Sequence, residues 1–136
     1  MTGVYIGLGS NLGPRSRNLS AARRRLREKG LRIRRQSQVI ETEPWGVRDQ
    51  PNFLNQVLEG EWLGTPRQLL VAAKQVEREA GRTPTRHWGP RVIDVDILLF
   101  GDQQVNLRDL VIPHPRIKDR PFVLESLAEL GVKFPS

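Results

Sequence analysis

A chain of 136 residues with 38% hydrophobic and 27% charged side chains is about one domain long and can bury roughly two thirds of its unfolded surface, so a folded globular protein is expected, not a disordered one. It has no Cys and 2 His, which excludes disulfides, thiol nucleophiles, Cys-zinc sites and a His-rich metal centre. Lys plus Arg number 22 against 15 acids, a net charge of +7, and 18 of the 22 are Arg; this suits bidentate contact with phosphate, although a composition bias or a heat-adapted surface would give the same count.

Val4, Ile6 and Leu8 alternate with Tyr5 and Gly7, which predicts a strand over 4–8 followed by a turn from Gly9 to Pro14. Leu19, Ala22 and Leu26 recur at helical spacing over 16–29, with Gly30 as the stop and a basic outer face of Arg23, Arg24, Arg25 and Arg27. A strand with a polar middle is expected over 31–42, then a loop over 43–52. The segment 53–63 reads as a strand with Leu54, Leu58 and Trp62 on one face and Phe53, Asn55 and Val57 on the other. Thr65, Pro66 and Gln68 form a capping box with Pro at N1, opening a helix whose inward residues are Leu69, Ala73, Val76 and Ala80 and whose stop is Gly81. After a polar loop over 82–91 comes the most hydrophobic strand, 92–100, a Gly101-Asp102 hairpin turn and a short strand near 104–107. Pro121 opens a last helix that ends at Gly131. The order is strand, helix, strand, strand, helix, strand. It predicts an α+β, ferredoxin-like βαββαβ antiparallel sheet with helices, plus a C-terminal hairpin and helix appendage, in one domain over 1–136. No apolar run approaches the roughly 18–20 residues of a membrane helix, and the N-terminus carries no signal-peptide pattern, so a cytoplasmic location with no membrane partner is expected.

The strongest chemical signal lies at 89–98. Asp94 and Asp96 are two apart on a predicted strand, so both carboxylates point to one face, about 6.6 Å apart along the chain. Their apolar flanks make two uncompensated charges costly, and hard cations shared with substrate phosphates would neutralise them. The alternative is one Asp capping a loop and the other paired with an Arg. Upstream, Arg82, Arg86 and Arg91 with His87 and Trp88 form a basic loop bracketed by Gly81 and Gly89, suited to a polyanion or to a solvated surface. His114, Arg116, Lys118 and Arg120 form a further basic cluster, in which His114 is either a ligand contact or structural. Phe53 and Asn55 share a face near Thr42, Pro44 and Trp45, a pairing that suits a flat heterocycle, by stacking and edge hydrogen bonds, or ordinary core packing. Gly7-Leu8-Gly9-Ser10-Asn11-Leu12-Gly13 is one residue too long for the dinucleotide fingerprint, and no Walker A sequence occurs.

Taken together, His87-Trp88-Gly89-Pro90-Arg91-Val92-Ile93-Asp94-Val95-Asp96-Ile97-Leu98 resembles the signature stretch of the 6-hydroxymethyl-7,8-dihydropterin pyrophosphokinase family. Gly9-Ser10-Asn11-Leu12-Gly13, Thr42-Glu43-Pro44, Asp49-Gln50-Pro51-Asn52-Phe53-Leu54-Asn55, Glu77, Gly81-Arg82 and Pro113-His114 support the resemblance in order, over about 4–130. It implies the ferredoxin-like fold and a reaction of folate biosynthesis. The 6-hydroxymethyl oxygen of 6-hydroxymethyl-7,8-dihydropterin attacks the β-phosphorus of ATP, giving the pterin diphosphate and AMP. By motif position it implies that Asp94 and Asp96 hold two Mg²⁺ ions and that Thr42, Pro44, Trp45, Asn55, Phe53 and Phe122 form the pterin pocket, with Asp94 and Trp88 beside it. Lys74, Glu77 and Ile97 would meet the nucleotide. Arg82, Arg91, His114 and Arg120 would meet the triphosphate, Arg82 and Arg91 acting in catalysis, and Trp88 would close a lid. Phe53 stands where some members carry Tyr, and Pro84 sits near where some carry a second lid arginine.

A monomer that binds no nucleic acid is expected. An RNA-binding sheet would carry an aromatic recognition run, which is missing, and Asp94 and Asp96 would repel a phosphate backbone. A non-catalytic metabolite-binding domain would not need paired carboxylates beside arginines. A phosphotransferase acting on another heterocycle is the best alternative.

Overall fold

In the computed structural model, which describes residues 1–44, 49–81 and 91–132, the chain opens with β1 (Thr2–Ser10), whose alternation fixes the layer plan. Val4, Ile6 and Leu8 are buried on one face and belong to the main core, while Tyr5 packs toward the other. The first crossover is α1 (Arg15–Glu28), which buries Leu19, Ala22 and Leu26 and leaves Arg24 and Arg27 exposed. Then follow β2 (Arg32–Gln36), β3 (Ile40–Thr42) and β4 (Phe53–Trp62). The second crossover is α2 (Pro66–Glu79). Thr65 Oγ1 accepts from the Gln68 N–H at 3.1 Å and Gln68 Oε1 accepts from the Thr65 N–H at 2.9 Å, so the expected capping box is present. The chain returns through β5 (Asp94–Phe100), leaves the sheet for a hairpin of β6 (Val105–Leu107) and β7 (Leu110–Ile112), and ends its described part with α3 (Pro121–Glu129).

The strand order is β2-β4-β1-β5, with β3 also on β4 and every pairing antiparallel. This is the α+β, ferredoxin-like arrangement expected from the element order. The main core lies between the sheet and α1 with α2, where Leu19, Leu26, Leu69, Ala73 and Val76 meet Val4, Ile6, Leu58 and Ile97. A second, smaller core lies on the opposite face, where Val123, Leu127 and Leu130 cover Val57 and Leu98. α3 is therefore more than an appendage: it forms a third layer over part of the sheet and leaves the rest of that face open. None of the described helices is long and apolar enough to cross a membrane.

Several details differ from the expectation, the first being that β1 runs on through Gly9 and Ser10, where a turn was expected. The strand over 31–42 is broken, because Gln36 pairs with Leu58 and Ile40 with Asn55, which sets four steps on one strand against three on the other. Ser37 absorbs the extra residue: its N–H donates to Val57 O at 2.9 Å and its Oγ accepts from the Val57 N–H at 2.9 Å. β5 begins at Asp94, two residues later than the pattern suggested. The turn at Gly101 is present, with φ +55, but the strand after it pairs with 110–112 and does not return along β5.

Candidate active site

The open part of the sheet face is built by register. Gly9 of β1 lies opposite Asn55 of β4 on one side and Asp94 of β5 on the other; one step along, Gly7 lies between Val57 and Asp96. Neighbouring strands are about 4.8 Å apart, so Asn55 and Asp94 stand roughly 10 Å apart across a strand whose residues there have no side chain. A Cβ on Gly9 would lie 3.2 Å from Asn55 Oδ1 and 3.5 Å from Phe53 Cδ1. The two glycines are thus the floor of a cavity of about 900 Å³.

One end of the cavity suits a flat ring. Thr42, Pro44, Phe53, Asn55 and Phe122 line it. The two phenylalanines come from β4 and from the start of α3, so they approach from different layers. Asn55 is 6% exposed, and its Nδ2 donates to Thr42 Oγ1 at 2.7 Å and Ile40 O at 3.3 Å. Both amide hydrogens are thereby committed to protein, and Oδ1, beside Gly9, is an acceptor suited to an N–H edge of a heterocycle.

The other end is charged. Asp94 and Asp96 both line the cavity, with side chains 30% and 37% exposed. Arg91 Nε is 3.8 Å from Asp94 Oδ1, and His114 Nε2 is 3.8 Å from Asp96 Oδ1. Arg91, Arg116 and Arg120 also line it. His114 Nδ1 accepts from the Arg116 N–H at 3.2 Å, which places the proton of the neutral ring on Nε2, the nitrogen nearer Asp96. Burial first, then the nearby Arg120 and Arg116 charges, push the His114 pKa down to about 4, so the ring is neutral at pH 7.

The carboxylate pair fits a magnesium ion and not a softer metal. The donors are hard oxygens on one strand face, aimed into a cavity that also carries cationic side chains. Among the described residues no group of three or more His, Cys, Asp or Glu is placed to hold a metal ion on its own.

Not all expected residues meet here. Glu77 is 4% exposed on α2, and its Oε2 accepts from the Val95 N–H at 2.9 Å, while Lys74 Nζ lies 3.6 Å from its Oε1. Glu77 therefore satisfies one N–H on the outer edge of β5, beyond which no strand lies among the described residues. The Ile97 side chain is 4% exposed in the main core. These three lie away from the cavity lining, on the α2 side of β5. Trp45, Arg82, Arg86, His87 and Trp88 lie outside the described residues. The sequence reading gave no role to Gly7, Gly9, Asn11, Gln50, Asp119 or Glu125. The glycines had a signal, since they fall at every second position on the strand face opposite Val4, Ile6 and Leu8. Asp119 and Glu125, which line the cavity through the α3 layer, had none.

The comparisons with known proteins fit this geometry. The family described as 7,8-dihydro-6-hydroxymethylpterin-pyrophosphokinase (HPPK) matches residues 5–132. The chain is 42% identical over 130 residues to the 2-amino-4-hydroxy-6-hydroxymethyldihydropteridine pyrophosphokinase of Aquifex aeolicus, covering 96% of this chain and 81% of that protein. It is also 42% identical over 127 residues to the mitochondrial folate synthesis bifunctional protein of Pisum sativum, covering 93% of this chain but only 25% of that protein. The chain thus spans about four fifths of the first relative and a quarter of the second. Among solved structures, the Plasmodium falciparum HPPK-DHPS wild type with SDX-DHP superimposes with a TM-score of 0.68 at 16% identity, over 96% of this chain and 40% of that one, which supports the fold.

Proposed function

The chain belongs to the 7,8-dihydro-6-hydroxymethylpterin-pyrophosphokinase family, whose reaction is pyrophosphoryl transfer from ATP to hydroxymethyldihydropterin in folate biosynthesis, and we propose that this protein performs it in the cavity between Asn55 and Asp96. The row Asn55, Gly9, Asp94 carries the reading, because it puts a ring-binding amide and a phosphate-binding carboxylate on one surface with an empty glycine position between them. The pterin ring lies over Gly9 between Phe53 and Phe122, with Asn55 Oδ1 accepting from its N–H edge and Thr42 and Pro44 closing the side. Asp94 and Asp96 hold two Mg²⁺ ions, which when bound neutralise phosphate charge and lower the hydroxyl pKa of the acceptor.

The chain's own residues supply position and charge. Arg91 and Arg120 meet phosphate oxygens as the negative charge shifts toward the leaving AMP. The neutral His114 donates from Nε2, and its Nδ1 already accepts from the Arg116 N–H, so it does not serve as a general base. In-line transfer from a well-placed hydroxyl does not require one. The nucleotide base lies along the outer edge of β5, where the Ile97 backbone and Lys74 would meet it and the buried Glu77 carboxylate holds the Val95 N–H. Arg82, Trp45 and Trp88, outside the described residues, keep the roles the family resemblance implies: Arg82 acts with Arg91, Trp45 belongs to the pterin pocket and Trp88 to the lid. We read the protein as a monomer with one domain over 1–136.

The test is AMP formation from ATP, Mg²⁺ and 6-hydroxymethyl-7,8-dihydropterin. AMP should appear only when all three are present. Asp96→Ala should keep the wild-type melting temperature, because Asp96 is part exposed, and should lose at least about 100-fold in kcat. ADP in place of AMP would overturn the transfer, and near-normal turnover of Asp96→Ala would overturn the metal assignment.

A further inference from the structure

We infer that Asn11 is the positioning residue that sets the heterocycle end of the cavity against its phosphate end. Asn11 is 1% exposed and does not line the cavity. It sits where three chain segments converge. Its Nδ2 donates to Gln50 Oε1 at 2.7 Å and to Pro51 O at 3.0 Å. Its Oδ1 accepts from the Arg91 N–H at 2.7 Å, and its own N–H donates to Arg91 O at 3.0 Å.

Each partner leads directly into the site. Pro51 and Asn52 precede Phe53, the first ring-binding residue of β4; Arg91 precedes the strand that carries Asp94 and Asp96. The Arg91 backbone is held from both sides, by an N–H and by a side-chain oxygen of one residue, which fixes where its guanidinium starts. One planar amide supplies the acceptor for Arg91 and the donors for Gln50 and Pro51, a combination no other side chain of that size offers except in the longer Gln. Arg15 adds a second tie on the same segment, from Nη1 to Asn52 O at 2.8 Å. Without Asn11 the sheet still pairs β4 and β5 with β1, but the tie between the segment that enters Phe53 and the segment that enters Asp94 is lost. Each substrate should still bind alone, and the alignment of hydroxyl with phosphorus should be lost.

The role rests on the transfer proposed above, and the test separates the two. AMP formation is measured for wild type, Asn11→Ala, Asn11→Asp, Gln50→Ala and the Asn11→Ala/Gln50→Ala double variant, with binary affinities for the pterin alone and for a Mg²⁺-bound non-hydrolysable ATP analogue alone. Asn11→Ala should fold by circular dichroism, change each binary affinity less than about fivefold and lose about 100-fold in kcat, the scale of an ångström of misplacement. Asn11→Asp keeps the acceptor for Arg91 and should recover part of the loss. Gln50→Ala should lower kcat less, and the double variant should lose no more than Asn11→Ala, since both act through one contact. A folded Asn11→Ala with kcat within threefold of wild type would overturn the role; so would losses that simply multiply, or binary affinities that fall as far as kcat. Should Asn11→Ala fail to fold, wild-type kcat in Gln50→Ala would overturn it equally. No AMP from wild type would overturn the transfer itself, and this role with it.

Discussion

Asp94, Asp96 and His114 illustrate how neighbours decide what a residue can do. The aspartates were legible as a pair because β spacing sends residues two apart to one face. Whether they faced a loop, an arginine or a ligand space was not legible. Asp94 does have Arg91 beside it, but at 3.8 Å, and both carboxylates open into the cavity. His114 could have been a base, a cation or a core residue. Burial, then the Arg120 and Arg116 charges, keep the ring neutral, and the Arg116 N–H at Nδ1 leaves Nε2 as the donor. Its folded-state pKa of about 4 lies below the ordinary value of 6.5, so between these pH values the unfolded chain binds more protons than the folded one. The stability this ring contributes is therefore complete above pH 6.5 and lost as the pH falls toward 4. In ligand-free protein, lowering the pH from about 7 to about 5 should cut the melting temperature of wild type more than that of His114→Gln. Equal slopes for the two proteins would show that the ring is not held neutral.

Among the elements, α3 is the one whose place was not readable from pattern. Its start at Pro121 was readable, but not which surface its buried Val123 and Leu127 would cover. The structure sets it on the sheet face opposite α1 and α2 and fastens its far end. Arg35 donates from Nη2 to Leu130 O at 2.5 Å and from Nε to Glu59 Oε1 at 2.5 Å, and the Tyr5 hydroxyl donates to Glu59 Oε2 at 2.9 Å. The Glu129 carboxylate accepts from the Gln38 N–H at 3.1 Å. Arg35 lowers the Glu59 pKa by this pairing, so the tie is charged at neutral pH. Because α3 also carries Phe122, this packing bears on the site. Leu127→Ala, at a position 0% exposed, should cost about 2–5 kcal/mol of stability and raise the KM for the pterin more than the KM for ATP. Urea titration and steady-state kinetics read the two effects. By contrast α2 was legible almost to the residue, since its start is written in the local chemistry of Thr65, Pro66 and Gln68.

For the whole molecule, the net charge of +7 surrounds a site that receives a polyanion. Among the described residues, many surface cations are paired, such as Lys29 with Glu79 and Arg67 with Asp109. Their net field still favours approach of an anion and is screened by salt, with a Debye length of roughly 10 Å at 0.1 M and 3 Å at 1 M. Raising ionic strength across that range should increase the KM for ATP several-fold and move the KM for the uncharged pterin little; equal shifts would argue against steering by charge. At this scale the division between sequence and structure is clear. Element order, helix starts and the sided pattern of β1 and β4 follow from periodicity and capping, which are local properties, and with them the ferredoxin-like sheet. The resemblance carried by 87–98 added the chemistry. Only the tertiary structure decided that Gly7 and Gly9 form an empty floor between Asn55 and Asp94, that α3 walls the other side, that Glu77 closes the edge of β5, and that Asn11 joins segments 39 and 80 residues away. The physical reason is that strand register and hydrogen bonds between distant segments depend on which surfaces meet, and no local pattern in the chain encodes that meeting.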